Sequence, residues 1–241
     1  MLGMQRALSL IFPDQCVLCP ELVETSGGLC ASCWREVTFL RGLVCDACGA
    51  ALHGEDDGVA ALCDDCLSTP RPWDRGRAVF SYGGTGRRLV LALKHGDRPD
   101  LAGPAAQWLE RAGAPFLEPE TLLVPVPIHW SRLLRRRYNQ SVELARALSR
   151  RTGHQLCPDA LVRVRRTMVQ DGVGVDQRFA NVVGTIEAHP RRREMLEGRN
   201  LCLIDDVMTS GATLSAAAKA CHDVGATRVS VLVLARVEKA S

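Results

Sequence analysis

Leu201-Cys202-Leu203-Ile204-Asp205-Asp206-Val207-Met208-Thr209-Ser210-Gly211-Ala212-Thr213-Leu214 is the stretch that decides the fold. Four apolar residues run into two adjacent acids. A short loop of small and hydroxylated residues follows, then an alanine-rich run to Cys221. The pattern predicts a buried strand, a tight turn and a helix start. Gly211 lets backbone N–H groups approach a ligand closely, and Thr209, Ser210 and Thr213 add hydroxyl donors. The first turn of the helix presents unpaired N–H groups and the positive end of its dipole, so a phosphate fits there. Asp205 and Asp206 sit just before the loop, at the strand's carboxyl end, where open α/β sheets bind ligands. They could hold two ribose hydroxyls or a magnesium ion. An ordinary strand-to-helix turn with a Ser/Thr cap has no use for paired acids without a nearby base.

Outward from this stretch the chain alternates strand and helix. Residues 77–82 alternate as a strand, Gly83-Gly84-Thr85-Gly86 reads as a turn, and residues 87–93 read as a helix with Leu89, Val90 and Leu93 inward. Lys94 is placed on a loop after that helix. A helical run covers 101–111, a short buried strand 122–126, a helix 141–151 and a short strand 161–164. Residues 167–181 have few apolar side chains and two glycines, and read as a mobile loop. A helix over 214–224 ends at Gly225, and 228–235 is a last strand. The alternation implies a mainly parallel α/β sheet flanked by helices over residues 74–241.

Residues 1–73 differ in kind. Eight of the eleven cysteines fall here, as Cys16/Cys19, Cys30/Cys33, Cys45/Cys48 and Cys63/Cys66, and every pair is Cys-x-x-Cys. No small-residue cleavage site follows residues 1–12, so a signal peptide is not expected and a cytoplasmic address is the default. In that setting the spacing favours zinc over disulfides. Two knuckles complete one tetrahedral site, which predicts about two structural zinc ions per chain in a small double zinc ribbon. The simplest pairing is two sequential four-cysteine sites; interleaved pairing also fits the spacing. The segment can bury little apolar area, so metal should supply its folding energy, and each site should be a local unit whose loss leaves the α/β part intact. His53 reads as a solvated loop residue. Thr69-Pro70-Arg71-Pro72-Trp73 reads as a stiff linker, with Trp73 packing at the junction.

Charge is uneven. Residues 1–73 carry four bases against ten acids, and residues 124–193 carry fourteen arginines and no lysine against five acids. An arginine-only patch suits bidentate phosphate recognition, and a solvated arginine-rich face reads the same way. No apolar run is long enough to span a bilayer, so membrane insertion is not expected.

The central stretch resembles the phosphoribosyl-pyrophosphate (PRPP) motif of type I phosphoribosyltransferases, an apolar strand followed by Asp-Asp-x-x-Thr-x-Gly-x-Thr, and all of those positions match. The resemblance implies that Asp205 and Asp206 bind the ribose 2′ and 3′ hydroxyls, and that Val207 and the run Thr209, Ser210, Gly211, Ala212 and Thr213 complete a PRPP site served by magnesium. More narrowly, nearly the whole chain resembles the ComF family, bacterial phosphoribosyltransferase-like proteins linked to DNA uptake in natural competence. The markers are the cysteine knuckles, Tyr82-Gly83-Gly84, Leu93-Lys94-His95-Gly96, Pro125-Val126-Pro127, Arg137-Tyr138-Asn139-Gln140-Ser141, Arg166-Thr167-x-x-Gln170 and Arg178-x-x-Asn181-Val182.

By this resemblance Lys94 contacts the pyrophosphate and joins Asp205 and Asp206 as a catalytic residue. Arg137, Asn139 and Gln140 form a polar face of the pocket, and Gln170 and Arg178 lie on a loop that closes over PRPP. One position departs: where purine-salvage transferases carry an Asp as general base, this chain has Thr209, a hydroxyl with no useful pKa. Three activities are compatible: phosphoribosyl transfer with release of magnesium pyrophosphate, PRPP sensing without turnover, or a competence accessory role. In the last, single-stranded DNA binds the arginine-rich middle, and competence helicase-type proteins are partners.

Overall fold

The computed structural model describes residues 13–24, 27–95, 99–129, 138–165 and 184–238. The predicted mobile loop, with Gln170 and Arg178, and Arg137 with its arginine neighbours lie outside the described residues. The strands among the described residues are β1 (Arg75–Ser81), β2 (Leu122–Pro125), β3 (Leu161–Arg163), β4 (Ile186–Ala188), β5 (Asn200–Met208) and β6 (Arg228–Arg236). The α-helices among the described residues are α1 (Ala31–Glu36), α2 (Asp64–Ser68), α3 (Gly84–His95), α4 (Ala102–Gly113), α5 (Gln140–Thr152), α6 (Arg193–Leu196) and α7 (Ala212–His222).

Four strands form one parallel sheet in the order β1-β6-β5-β2. Leu201, Cys202, Leu203 and Ile204 are all buried, as befits a parallel strand covered on both faces. Alternate side chains separate the two faces. Leu122, Val124, Leu201, Leu203, Val229, Val231 and Val233 join one core with the alanine-rich α7. Leu123, Cys202, Ile204, Leu232 and Leu234 join another with α3, α4 and α5. In α4 the residues Ala102, Ala105, Ala106 and Leu109 form the buried stripe of a 3.6-residue period. The α5 helix stops where Gly153 turns left-handed at φ 78°.

Three local readings change. Helix α3 begins at Gly84, inside the predicted turn, and continues through Lys94, because Leu89, Val90 and Leu93 are buried and no breaker lies between Gly86 and Gly96. Lys94 therefore sits on the last turn of a helix and not on a loop. Strand β5 runs on through the two acids to Met208, since β6 pairs with it as far as Met208↔Arg236. The short strand β3 joins no parallel sheet; it pairs antiparallel with β4, three residues that the sequence pattern does not mark.

The cysteine-rich segment is not appended through a free linker. Trp73 is 6% exposed and its Nε1 donates to the Ala47 carbonyl at 2.6 Å. The backbone of the third knuckle lies against β1 so closely that a Cβ on Gly76 would fall 2.3 Å from the Ala47 oxygen. The same segment runs along the outer edge of β1. Gly76 N–H donates to Asp46 O at 2.7 Å, Leu40 N–H to Val79 O at 3.0 Å and Ser81 N–H to Thr38 O at 2.9 Å. Phe39 and Phe80 form an antiparallel bridge there.

Candidate functional site

The carboxyl end of β5 gathers the acids. Asp205 Oδ1 accepts from Ser141 Oγ at 2.8 Å and from the Asp206 backbone N–H at 2.9 Å. Burial, and then the charge of Asp206, push the Asp205 carboxyl up to about 7 against the opposing pull of Ser141, the Asp206 amide and Lys94. Asp206 is 9% exposed, and its Oδ2 lies 3.1 Å from Lys94 Nζ.

Two helix ends bring these groups together. Asn139 caps α5, its Oδ1 accepting from Ser141 N–H at 3.0 Å, while its Nδ2 donates to Val126 O at 3.1 Å. Gln140 is buried, with Nε2 3.5 Å from the Lys94 carbonyl, the outer limit of a hydrogen bond. The Tyr138 hydroxyl donates to the Leu93 carbonyl. The start of α5 is thus tied to the end of α3. Asn139 and Gln140 act on backbone here, while the hydroxyl that meets the acid belongs to Ser141.

Beyond β5, Thr209 is exposed, Ser210 and Thr213 are half-buried, and Gly211 and Ala212 are buried. Gly211 turns left-handed at φ 82° and opens α7 with no side-chain cap of its own. Ser210 Oγ meets the Ala212 N–H only at 3.4 Å, so the first-turn amides keep their capacity for an anion. The loop carbonyls are held from behind. Arg71 Nη1 donates to Ser210 O at 2.7 Å, and the buried Arg236 donates through Nη1 to Thr209 O at 2.6 Å and to Met208 O at 3.4 Å. Sequence reasoning gives no role to Ser141, Arg71 or Arg236. Each acts across the fold on residues remote in sequence, and no local motif marks it.

The eight paired cysteines form two groups, Cys16/Cys19/Cys30/Cys33 and Cys45/Cys48/Cys63/Cys66, with all Sγ atoms of a group within 4.8 Å of one another. The pairing is sequential, not interleaved. Sγ–Sγ separations of 3.6 Å (Cys19–Cys30), 3.7 Å (Cys33–Cys19) and 3.6 Å (Cys48–Cys63) are far too long for disulfides. A tetrahedral zinc with sulfur at about 2.3 Å requires roughly 3.8 Å between ligands. Donor set and spacing both fit zinc. His53 is exposed and belongs to neither group.

A cleft of about 540 Å³ opens elsewhere, among Trp34, Phe39, Arg41 and Trp108, and shares no lining residue with the acid pair. Its cations are largely engaged: Arg75 and Arg77 with Asp46, and Arg41 over the Phe39 ring at 4.9 Å. The titratable groups and the open helix start gather at β5 instead. No helix among the described residues is long and apolar enough to cross a membrane.

Comparison with known proteins agrees with both halves. Residues 7–67 match the double zinc ribbon domain and residues 138–241 the phosphoribosyl transferase domain. The chain is 30% identical over 234 residues to DNA utilization protein YhgH of Escherichia coli K12, covering 94% of this chain and 99% of that one. It is 26% identical over 240 residues to competence protein F of Haemophilus influenzae, covering 93% and 98%. With competence protein ComFC of Bacillus subtilis it shares 26% over 239 residues, covering 96% and 88%. A double zinc ribbon followed by a phosphoribosyl transferase domain, matched along almost the full length of these relatives, makes the chain a member of the ComF family.

Proposed function

We propose that the chain binds PRPP with magnesium at the carboxyl end of β5. The observation that carries this is the contiguity of the Asp205–Asp206 pair with the uncapped, glycine-opened start of α7. In this reading the two carboxylates take the ribose hydroxyls, the 209–213 loop takes the 5′-phosphate, and Lys94 lies next to the acids to meet pyrophosphate. Magnesium supplies charge neutralisation on the pyrophosphate. If the site turns over, the protein's part is positioning and charge stabilisation. Thr209 provides no base for a purine acceptor.

Calorimetry tests the reading. Wild type should bind PRPP only with magnesium. Asp205→Asn together with Asp206→Asn should lose roughly 2–4 kcal/mol, two charged hydrogen bonds at their usual worth. Equal affinity in the double variant removes the assignment. Release of pyrophosphate across a panel of nucleobases separates a transferase from a sensor.

A second reading puts single-stranded DNA on the arginine-rich middle; of the relatives' names, DNA utilization protein points to DNA. Among the described residues, Arg146, Arg151 and Arg192 of that segment are already paired with Glu143, Glu110 and Asp159. Of the arginines that remain, Arg132, Arg135, Arg136 and Arg137 fall within six residues of one another, and the reading is placed on that run. Fluorescence anisotropy with a labelled oligonucleotide over a salt series tests it. Arg135→Ala with Arg136→Ala should flatten the salt slope by about 0.7 log units for each phosphate no longer neutralised. An unchanged slope would remove DNA from this segment.

A further inference from the structure

Arg71 stands between two features that sequence keeps far apart. It lies five residues after Cys66, and its Nε faces Cys66 Sγ at 3.4 Å. Its Nη1 donates to Ser210 O at 2.7 Å across a sequence separation of 139 residues. The guanidinium carbon sits 5.7 Å from the centre of the Trp73 ring. Trp73 in turn is fixed through Ala47, between Cys45 and Cys48. The Ser210–Gly211 peptide is seated on this pair: a Cβ on Gly211 would lie 3.1 Å from Trp73 Cη2 and 3.2 Å from Arg71 Nη1.

The chemistry gives the arrangement a direction. A loop that cradles an anion with its N–H groups must keep its carbonyl oxygens turned away and satisfied. Here guanidinium donors do this for Met208, Thr209 and Ser210. Arg236 comes from the end of the neighbouring strand, and Arg71 comes from the second four-cysteine site. A metal-bound thiolate is a charged acceptor, and a hydrogen bond to it orients the donor as well as the sulfur. The planar fork of arginine serves two acceptors at once, which a lysine ammonium on a flexible stem does poorly.

We propose that Arg71 is a positioning residue through which the second four-cysteine site fixes the phosphate loop, so that metal at that site and anion affinity at the loop are coupled. The effect on affinity rests on the PRPP reading above; the effect on the loop does not. Coupling of this kind is reciprocal. The first four-cysteine site makes no such contact among the described residues.

The test uses the full-length, zinc-replete protein and hydrogen exchange of the first bonded amides after the loop, Ser215, which donates to Gly211 O at 2.8 Å, and the turn that follows it. Arg71→Ala should raise exchange there about tenfold, the size of one lost charge-assisted hydrogen bond. Amides in the middle of β6 should keep their protection, which reports that the sheet stays folded. Arg71→Lys should restore part of the protection. Cys16→Ser, which removes a ligand from the first site, should leave the loop unchanged. In cobalt-substituted protein, adding PRPP with magnesium should shift the thiolate-to-cobalt absorption in wild type and not in Arg71→Ala. Unchanged loop exchange in Arg71→Ala, or equal loosening in Cys16→Ser, overturns the proposal. If wild type fails to bind PRPP while Arg71→Ala still loosens the loop, the positioning role of Arg71 stands and the PRPP reading falls.

Discussion

The two four-cysteine sites share a motif and differ in what surrounds them. Cys16, Cys30 and Cys33 form a small cluster of their own, with Cys19, Leu18, Val23 and Leu29 packed against it. Cys45, Cys48 and Cys66 belong to the same core as Trp73, Ala78, Met208, Leu214 and the β5 residues Leu201 and Leu203. The first site keeps its thiolates in a small cluster of their own, and its flanking residues Val17, Leu18 and Leu29 reach the helix-side core. The other has become part of the sheet's own interior. A motif fixes the ligand chemistry, and the packing around it decides how far the loss of metal is felt.

Ligand removal breaks this comparison most sharply. Cys45→Ser should destabilise the whole chain by at least about 5 kcal/mol, combining a lost metal with a breached core. Cys16→Ser should empty one site and leave the sheet transition in place. Urea unfolding followed by circular dichroism, with zinc counted in each variant, reads both. Matching curves for the two variants would mean that the second site is as separate as the first, as the spacing alone suggests.

Aromatic truncation is the next largest effect. Trp73→Ala removes a buried ring and its bond to Ala47, and should cost about 3–5 kcal/mol. Trp34, beside the first site, is 36% exposed and stacks on Phe39 at 4.5 Å. Its replacement by Ala should cost about 1 kcal/mol. Differential scanning calorimetry compares them directly, and the contrast between the sites weakens if the order reverses.

The smallest effect separates the metal sites from the acid pair by pH. The Asp205 carboxyl is raised to about 7, so below that pH a proton must leave before the carboxylate can serve a ribose or magnesium. Magnesium–PRPP affinity should therefore rise from pH 6 to pH 8 and level off, by at most about tenfold per unit. The ligand's own phosphates titrate in this range, and Asp205→Asn supplies the correction. The pH slope of wild type should exceed that of the variant. Zinc content should stay at two per chain throughout, and a parallel loss of zinc would assign the slope to the thiolates.

What the sequence makes legible follows from distance along the chain. The β5 strand, the acids, the loop and the start of α7 are contiguous, so residue type and order suffice to see them. The knuckles are read from spacing, and their sequential pairing needs only short loops. Lys94 is readable as a loop cation, but its place on the last turn of α3 depends on a buried face that only the fold provides. Ser141 reaches Asp205 across 64 residues and Arg71 reaches Ser210 across 139. Nothing local distinguishes that serine from a helix cap, or that arginine from a linker charge. Strand β4 is three residues long and exists because β3 lies opposite it. The PRPP, magnesium and DNA assignments are proposals of chemistry built on these positions.

The hydrogen bonds along β1 carry a consequence for how the chain stays in solution. A border strand with free N–H and C=O groups is a template on which another molecule's strand can add. In this protein the stretch from Thr38 to Asp46 occupies that border, meeting Gly76, Val79 and Ser81. Cutting the chain ahead of β1 to isolate the phosphoribosyl transferase domain would bare the border and the apolar side chains Phe80 and Ala78 behind it. The cysteine-rich segment thus covers a strand border that would otherwise be open to pairing, independent of whatever its metals do for ligand binding.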